Sequence, residues 1–288
     1  MKRVFHHATG MSAVLCIAML FAACSKDSND NNNNNNTKKP SVQIIDNPQF
    51  GKILADSNGR TLYVFAPDVS GQSACTGACL VTWPLFNVKN PSVSQGIGNN
   101  DIEDIDRTDG EDQLTYKGWP LYYYVSDTKQ GDVKGDGLNG LWFVAKPDYS
   151  LMVAKAQLVG DDGKNYKHDY TEGTEATVYI VDSLGRTIYA FTPDKFNKNN
   201  YTKSDFSNDP LWPIFQVSSV QSLPSLLSKA DFGSIDVFGK KQLTFKGWPL
   251  YYFGNDGAGS RGVNKGISFP APGIWPIVNN SSATAPQP

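Results

Sequence analysis

Hydrophobic residues along this chain occur in short runs that Gly, Pro, Asn and Asp interrupt. The runs are rich in Val, Ile, Tyr and Phe, and amphipathic helical patterns are scarce, so strands and turns are predicted throughout. In residues 62–65, alternation sends Tyr63 and Phe65 to one face of a strand. Leu62 and Val64 then lie on the other face, and because both faces are apolar, a central strand is expected. The pattern predicts an all-β protein.

The N-terminus has the pattern of a lipoprotein signal peptide. Lys2 and Arg3 precede an apolar stretch, residues 11–23, that is too short to span a bilayer and ends before Cys24. We predict a signal peptide over residues 1–23 and lipidation of Cys24; the alternative is a plain signal peptide that is cut nearby. The protein is therefore expected outside the cytoplasm, where lipid anchors it to the cell envelope. We expect the anchor to lie in the outer membrane, and the protein could be exposed at the cell surface.

The residues after Cys24 form a predicted linker. Residues 24–40 contain the run Asn31–Asn36 and no aromatic residue. Such a segment cannot bury enough apolar surface to become ordered. We therefore predict a disordered stalk over residues 24–40, which begins at the lipidated cysteine.

Four copies of one motif divide the rest of the chain. GRTLYVFAPD at residues 59–68 recurs as GRTIYAFTPD at 185–194, and LTYKGWPLYYY at 114–124 recurs as LTFKGWPLYYF at 243–253. The segments that begin at Gly118 and Gly247 fit the same frame as the first pair, so a unit of roughly 60 residues is used four times. A tryptophan follows each copy: Trp83, Trp142, Trp212 and Trp275.

These units group into two homologous halves, residues 41–147 and 148–278. A disordered tail is predicted at 279–288. A single unit cannot bury its apolar faces alone, so packing between units must supply the core, with each tryptophan against a Tyr/Phe face. Two architectures stay open: four units that close like a small propeller, or two sandwich-like lobes side by side.

The motifs resemble a family of bacterial lipoproteins described as secreted repeats of unknown function, which share a Tyr-x-(Phe/Trp/Tyr)-x-x-Asp motif. A Cys-rich turn before Trp83 is similar to that family as well. The resemblance implies a secreted repeat protein with no established enzymatic activity. All four copies match, and the matching positions are Tyr63, Phe65 and Asp68; Tyr122, Tyr124 and Asp127; Tyr189, Phe191 and Asp194; and Tyr251, Phe253 and Asp256.

Cys75 and Cys79 are the only other cysteines that remain once residues 1–23 are removed. An oxidising compartment favours a disulfide between them, which would contribute about 2 kcal/mol by closing so short a loop. A redox dithiol and half of a copper site are the alternatives. A thiolate copper site usually includes a histidine or methionine, and here His168 and Met152 lie in the other half, so a structural disulfide is favoured.

The remaining chemistry is sparse. The four motif aspartates could line a common site for a cation or a sugar, but their recurrence in every unit favours a structural role at the end of each strand. Acidic residues between Asp101 and Asp112, and a calcium-like stretch at 132–137, lack EF-hand spacing and are interpreted as solvated loops. His168 has no nucleophile motif around it. We predict no catalytic residue, no metal and no cofactor.

For function, we expect a non-enzymatic ectodomain that binds a protein or glycan through its loops. The formal net charge of −2 gives no basic surface for nucleic acid, and the membrane is contacted through the lipid anchor. An envelope redox accessory that uses Cys75 and Cys79 is the alternative. A surface glycan hydrolase is a weaker alternative, which stays open because paired carboxylates cannot be ruled out from sequence.

Overall fold

A computed structural model describes residues 39–288 of the chain. The predicted signal peptide, Cys24 and nearly all of the predicted linker lie outside the described residues. Within them, the only α-helix is α1, Cys79–Thr82, and none is long and apolar enough to cross a membrane. The strands are β1 Val42–Asn47, β2 Gly51–Asp56, β3 Tyr63–Phe65, β4 Ile102–Asp106, β5 Asp112–Tyr116, β6 Trp119–Pro120, β7 Trp142–Val144, β8 Leu151–Val159, β9 Asn165–Tyr166, β10 Ala176–Asp182, β11 Phe232–Val237, β12 Lys240–Phe245 and β13 Trp248–Pro249.

The strands form five small antiparallel sheets, and the arrangement repeats along the chain. The first half contains the pairs β1–β2 and β3–β7 and the sheet β4–β5–β6. The second half contains β10–β8–β9 and β11–β12–β13, and β11–β12–β13 is the counterpart of β4–β5–β6. The prediction of an all-β fold with repeated lobes is confirmed. The largest of these sheets has three strands, and none of them closes into a barrel.

Strand β3 sits between two partners, as expected for a central strand. On one side it pairs with β7, with Tyr63 opposite Val144. On the other side the Tyr63 N–H donates to the carbonyl of Tyr122 (2.9 Å), and the Tyr122 N–H donates back to the carbonyl of Tyr63 (3.0 Å). In the second half Tyr189 and Tyr251 make the same reciprocal pair at 2.9 Å in both directions. The first motif residue of each unit is thus paired with the first motif residue of its neighbour.

The two halves share one hydrophobic core. Buried residues from both belong to a single cluster that includes Leu114, Met152 and Leu243. Polar contacts cross the same boundary, since Trp119 Nε1 donates to the carbonyl of Ser183 at 3.0 Å. Arg261 of the second half donates to the carbonyl of Lys117 in the first half at 2.9 Å. Each half is therefore built as a lobe, but the lobes are not independent bodies.

Residues 279–288, for which we predicted disorder, are held against the second half. Trp248 Nε1 donates to the carbonyl of Ala283 (2.8 Å), and the Ala285 N–H donates to the carbonyl of Lys246 (2.9 Å). Ala285 is 3% exposed. The attachment is made chiefly by backbone groups, which a segment rich in Ser, Thr and Pro does not reveal in its hydrophobic pattern.

Candidate functional site

Each motif tyrosine donates a hydrogen bond to the motif aspartate of the neighbouring unit. In the first half, Tyr63 Oη donates to Asp127 Oδ2 at 2.6 Å and Tyr122 Oη donates to Asp68 Oδ2 at 2.7 Å. The second half repeats this exchange: Tyr189 donates to Asp256 at 2.6 Å and Tyr251 donates to Asp194 at 2.7 Å. The motif therefore joins two units, and a half is the smallest set of units in which every motif residue has its partner.

The second oxygen of each motif aspartate secures the loop that follows its own strand. Oδ1 of Asp68 accepts from the backbone N–H of Ala74 at 2.7 Å, and Oδ1 of Asp127 accepts from that of Lys134 at 3.0 Å. The equivalent bonds in the second half come from Asn200 to Asp194 and from Lys265 to Asp256. This is the strand-ending role that the recurrence of the aspartates favoured, with the tyrosine bond as an addition.

The motif aspartates do not converge on a common site. Each is bonded to a tyrosine of its own half, and Asp68 and Asp194 are fully buried. Burial raises the pKa of Asp68 and of Asp256 to about 7 and that of Asp194 to about 6, while bonds from tyrosine and the backbone oppose the rise. Within residues 39–288 no three metal-ligating side chains come together.

Four aromatic rings stack in each half. In this stack, as in the tyrosine–aspartate bonds, each unit places a ring against a ring of its neighbour. In the first half, Trp83 and Trp142 stack with ring centroids 3.8 Å apart. Phe65 of the first unit lies on Trp142 of the second at 3.9 Å, and Tyr124 of the second unit lies on Trp83 of the first at 4.5 Å. In the second half, Trp212 and Trp275 stack at 3.7 Å, flanked by Phe253 and Phe191.

One glycine in each half makes room for this stack. A Cβ on Gly135 would lie 2.7 Å from the Trp83 ring and 2.9 Å from the Tyr63 ring. Gly266 has the same relation to Trp212 and Tyr189. Since both distances are shorter than real carbon contacts, the backbone can pass the stack at this point only without a side chain.

The predicted disulfide between Cys75 and Cys79 is confirmed. Cys75 is 1% exposed and belongs to the buried cluster of Trp83 and Trp142, whereas Cys79 is partly exposed. Cys79 begins α1, and its carbonyl accepts from the N–H of Trp83 at 2.9 Å. The disulfide therefore ties the short helix that precedes Trp83 to the buried side of the lobe.

Arg107 supports the same loop, although we did not select it as a candidate from the sequence. Its side chain is 1% exposed, and Nη2 donates to the carbonyl of Cys75 at 3.0 Å. The guanidinium also binds Ser73 Oγ, Gln113 Oε1 and the carboxylate of Asp109. The acidic segment that we interpreted as a solvated loop thus contains a buried cation and its counter-ion. A single arginine within a run of acids was the available signal.

The second half closes the equivalent loop without a disulfide. Asp68 accepts from the N–H of Ala74, and its counterpart Asp194 accepts from the N–H of Asn200, so these two residues correspond. The next residue, Tyr201, therefore takes the place that Cys75 has in the first half. The N–H of Trp212 donates to the carbonyl of Asn208, so Asn208 stands where the first half has Cys79. Tyr201 packs edge-on against Trp275 at 4.7 Å, and Asn208 Oδ1 accepts from the N–H of Lys203 at 2.9 Å. An aromatic ring and a hydrogen bond replace the covalent link.

Residues 76–82, here called the tip loop, protrude from this braced base. Residues 76–78 are exposed, and Val81 is 76% exposed. Val125 lies beside the end of the tip loop, because the Val125 N–H donates to the carbonyl of Thr82 at 3.0 Å. Val125 is 51% exposed. Two aliphatic side chains therefore face solvent next to the disulfide.

The other sequence candidates are occupied by structural bonds. Asp132, in the calcium-like stretch, accepts from the N–H groups of Thr128 and Lys129 and from Lys134 Nζ. His168 Nδ1 lies 2.9 Å from Glu175 Oε2 on the surface. All three donors to Asp132 bind its Oδ2, so the stretch is a hydrogen-bonded turn.

A cleft of about 200 Å³ in the second half is lined by Arg186, Tyr252, Phe253 and Asp256, among others. Asp256 is the single acid in its lining, and it is already bonded to Tyr189 Oη and the N–H of Lys265. Glycoside hydrolysis generally uses two carboxyl groups that flank the scissile bond. This cleft therefore does not supply the pair that a glycan hydrolase requires.

Comparison with known proteins bears on the first half. A family model described as a secreted repeat of unknown function matches residues 45–87 and 104–146. The chain matches no curated protein and no solved structure. The family implies an extracytoplasmic location, as we predicted, and the second half repeats the same geometry outside the matched segments. Two segments of the first half are thus similar to a secreted repeat of unknown function.

Proposed function

We propose that this protein is a lipid-anchored, non-enzymatic scaffold of the outer membrane that binds a protein of the cell envelope through its tip loop. The observation that carries the proposal is the solvent exposure of Val81, 76%, on a loop whose base is braced by the disulfide and Arg107. An exposed aliphatic side chain on a fixed support is a feature that a protein partner can bury.

The bracing matters for affinity. Asp68 holds Ala74, Arg107 holds the carbonyl of Cys75, and the disulfide holds Cys79. A loop that is ordered before binding loses less conformational entropy when a partner covers it. Small-molecule sites are concave, whereas the tip loop protrudes, so a protein with a complementary groove fits it better than a small ligand.

The motif residues support a scaffold rather than an enzyme. All four motif carboxylates accept hydrogen bonds from a tyrosine and a backbone N–H, so their oxygens are committed to the frame. Removing such bonds to perform chemistry would loosen the loops that they secure. The frame accordingly presents loops, and its carboxylates are part of the support.

The anchor is supported by the sequence of the N-terminus. Cys24 follows a short apolar signal, and buried acyl chains contribute about 0.8 kcal/mol per CH₂, so two or three chains hold a protein stably on a membrane. Cys24→Ser should release the protein from the membrane fraction, while Cys16→Ser within the signal should leave it membrane-bound. Equal membrane association of the two variants would exclude lipidation at Cys24, and separation of inner and outer membranes would then test the outer-membrane assignment.

The binding surface can be tested by photo-crosslinking in intact cells. A benzoylphenylalanine at position 81 should give one discrete protein adduct, which excess purified wild-type chain should compete away and which Val125→Asp should abolish. The same probe at Leu184, a 48% exposed position in the second half, serves as the control. Identical adducts at both positions, none at position 81, or an adduct with glycan would overturn the proposal.

A further inference from the structure

We infer that the Cys75–Cys79 disulfide is reversible: it exchanges with a dithiol oxidoreductase of the envelope through Cys79, and its redox state sets the shape of the tip loop. The exchange itself stands on the geometry of the disulfide. Its regulatory consequence, altered binding at Val81, rests on the proposed function of the tip loop. Three features of the structure support the exchange.

The two cysteines differ in exposure. Cys75 is 1% exposed and belongs to the buried aromatic cluster, whereas Cys79, which packs against that cluster, is partly exposed and borders the exposed residues 76–78. An attacking thiolate needs a path to the sulfur atom, and attack on one sulfur makes the other the leaving group. The geometry therefore directs attack to Cys79 and makes Cys75 the leaving group.

The second half shows that the lobe closes without this bond. Tyr201 and Asn208 occupy the positions of the two cysteines, and a hydrogen bond from the Lys203 N–H to Asn208 closes the loop there. The tyrosine–aspartate bonds and the aromatic stack are nevertheless the same in both halves. Breaking the disulfide should therefore leave the frame of the first half intact.

The effect of reduction should be confined to the tip loop. Cys75 keeps its place because Arg107 binds its carbonyl and Asp68 binds the N–H of Ala74, and neither bond depends on sulfur. On the other side, α1 is a four-residue helix with no side-chain cap. Reduction thus frees the segment that contains Val81 and leaves its base in position.

The chemistry balances as an ordinary two-step exchange. A thiolate of the oxidoreductase attacks Cys79 Sγ, a new S–S bond forms between them, and the Cys75–Cys79 bond breaks with its electron pair on Cys75 Sγ. The thiolate at Cys75 then takes a proton from water. The second thiolate of the oxidoreductase attacks its own sulfur in the mixed disulfide and releases Cys79. The dithiol of the oxidoreductase is oxidised and the cysteine pair is reduced. The reverse reactions restore the Cys75–Cys79 disulfide.

The test compares the two single-cysteine variants. Cys75→Ala leaves the Cys79 thiol, and Cys79→Ala leaves the Cys75 thiol. In the folded mature chain, the Cys79 thiol should react with an aromatic disulfide reagent at least about tenfold faster than the Cys75 thiol. A Cys75→Ala/Cys79→Ala double variant gives the background from all other groups. Equal rates, or faster reaction at Cys75, would overturn the assignment.

The reversibility of the disulfide can also be tested in the wild-type chain, without any substitution. A dithiol should reduce the pair in the native protein, and the near-ultraviolet circular dichroism of the stacked tryptophans should persist. Glutathione disulfide should then restore the bond. Reduction that occurs only when urea has unfolded the protein would show a purely structural disulfide and refute the inference.

The regulatory part has its own readout. Crosslinking from position 81 should fall at least severalfold after reduction, while the adducts of the Leu184 control should not change. An unchanged yield in a chain whose disulfide exchanges would refute the regulation only. Exchange without any adduct in either redox state would refute the proposed binding function and leave the exchange chemistry established.

Discussion

The hydroxyl of Tyr122 offers a quantitative test of how the units are joined. It donates to Asp68 Oδ2 at 2.7 Å, and Asp68 is fully buried. Burial raises the pKa of Asp68 to about 7, and the bonds from Ala74 and Tyr122 limit that rise because they favour the charged form. Tyr122→Phe removes one of these bonds and should raise the pKa of Asp68 further.

The size of the effect depends on the charge of Asp68. Hydrogen bonds to charged groups contribute about 1.5–3 kcal/mol and neutral ones about 1 kcal/mol. At pH 8 native Asp68 is mostly ionised, so Tyr122→Phe should lower the free energy of unfolding by about 2 kcal/mol. At pH 5 native Asp68 is mostly protonated, and the loss should be about 1 kcal/mol. The substitution should therefore be more destabilising at the higher pH.

Urea unfolding at the two pH values measures this difference, with circular dichroism and tryptophan fluorescence as probes. Tyr251→Phe, which removes the equivalent bond to Asp194 in the second half, should show the same trend. Tyr116→Phe is the matched control, because the Tyr116 hydroxyl donates to the neutral carbonyl of Pro147 at 3.1 Å and its loss should not depend on pH. If Tyr122→Phe were equally destabilising at pH 5 and pH 8, the claim that this hydroxyl supports a buried carboxylate would be wrong.

Three further predictions follow from the same frame. Trp142→Ala removes a ring that stacks between Trp83 and Phe65 and should lower the free energy of unfolding by about 3–5 kcal/mol in urea; a loss below about 1 kcal/mol would mean that the stack contributes little. Gly135→Ala places a Cβ against two rings and should cost about 1–3 kcal/mol in the same assay, whereas an unchanged midpoint would show that the backbone shifts freely. For the wild-type chain, burial raises the pKa of Asp68 to about 7 from its unfolded value of about 3.9. The contribution of Asp68 to stability is therefore present at low pH and is lost as pH rises through about 7. The free energy of unfolding should fall between pH 5 and pH 8, and a rise would contradict the assignment.

Much of this frame could be predicted because the motif is repeated. Four copies of a short aromatic pattern indicate strands, and the tryptophan after each copy indicates a shared core. The sequence also favoured a structural role for the motif aspartates at the strand ends, and Asp68 accepts there from the N–H of Ala74. These inferences needed only local patterns and residue chemistry.

The partners of the motif residues could not be predicted. Tyr63 and Asp68 lie five residues apart, yet each finds its side-chain partner in the neighbouring unit, at Asp127 and Tyr122. That exchange depends on the antiparallel pairing of Tyr63 with Tyr122, which the spacing of a motif does not encode. Arg107 was missed for a related reason: a single arginine within a run of acids marks the position but does not show that its side chain is buried.

The two halves of the chain serve as a comparison within one molecule. The joining contacts hardly differ between them, since the central tryptophan rings are 3.8 Å apart in one half and 3.7 Å apart in the other. The segment between the first motif aspartate and its tryptophan does differ: it carries a disulfide and an exposed valine in the first half, and Tyr201 and Asn208 in the second. A segment that is free to change while its support stays fixed is the place where a binding function can diverge without loss of the fold. The tip loop meets that description, and this is why it, rather than the more regular motif residues, is the surface to which we assign function.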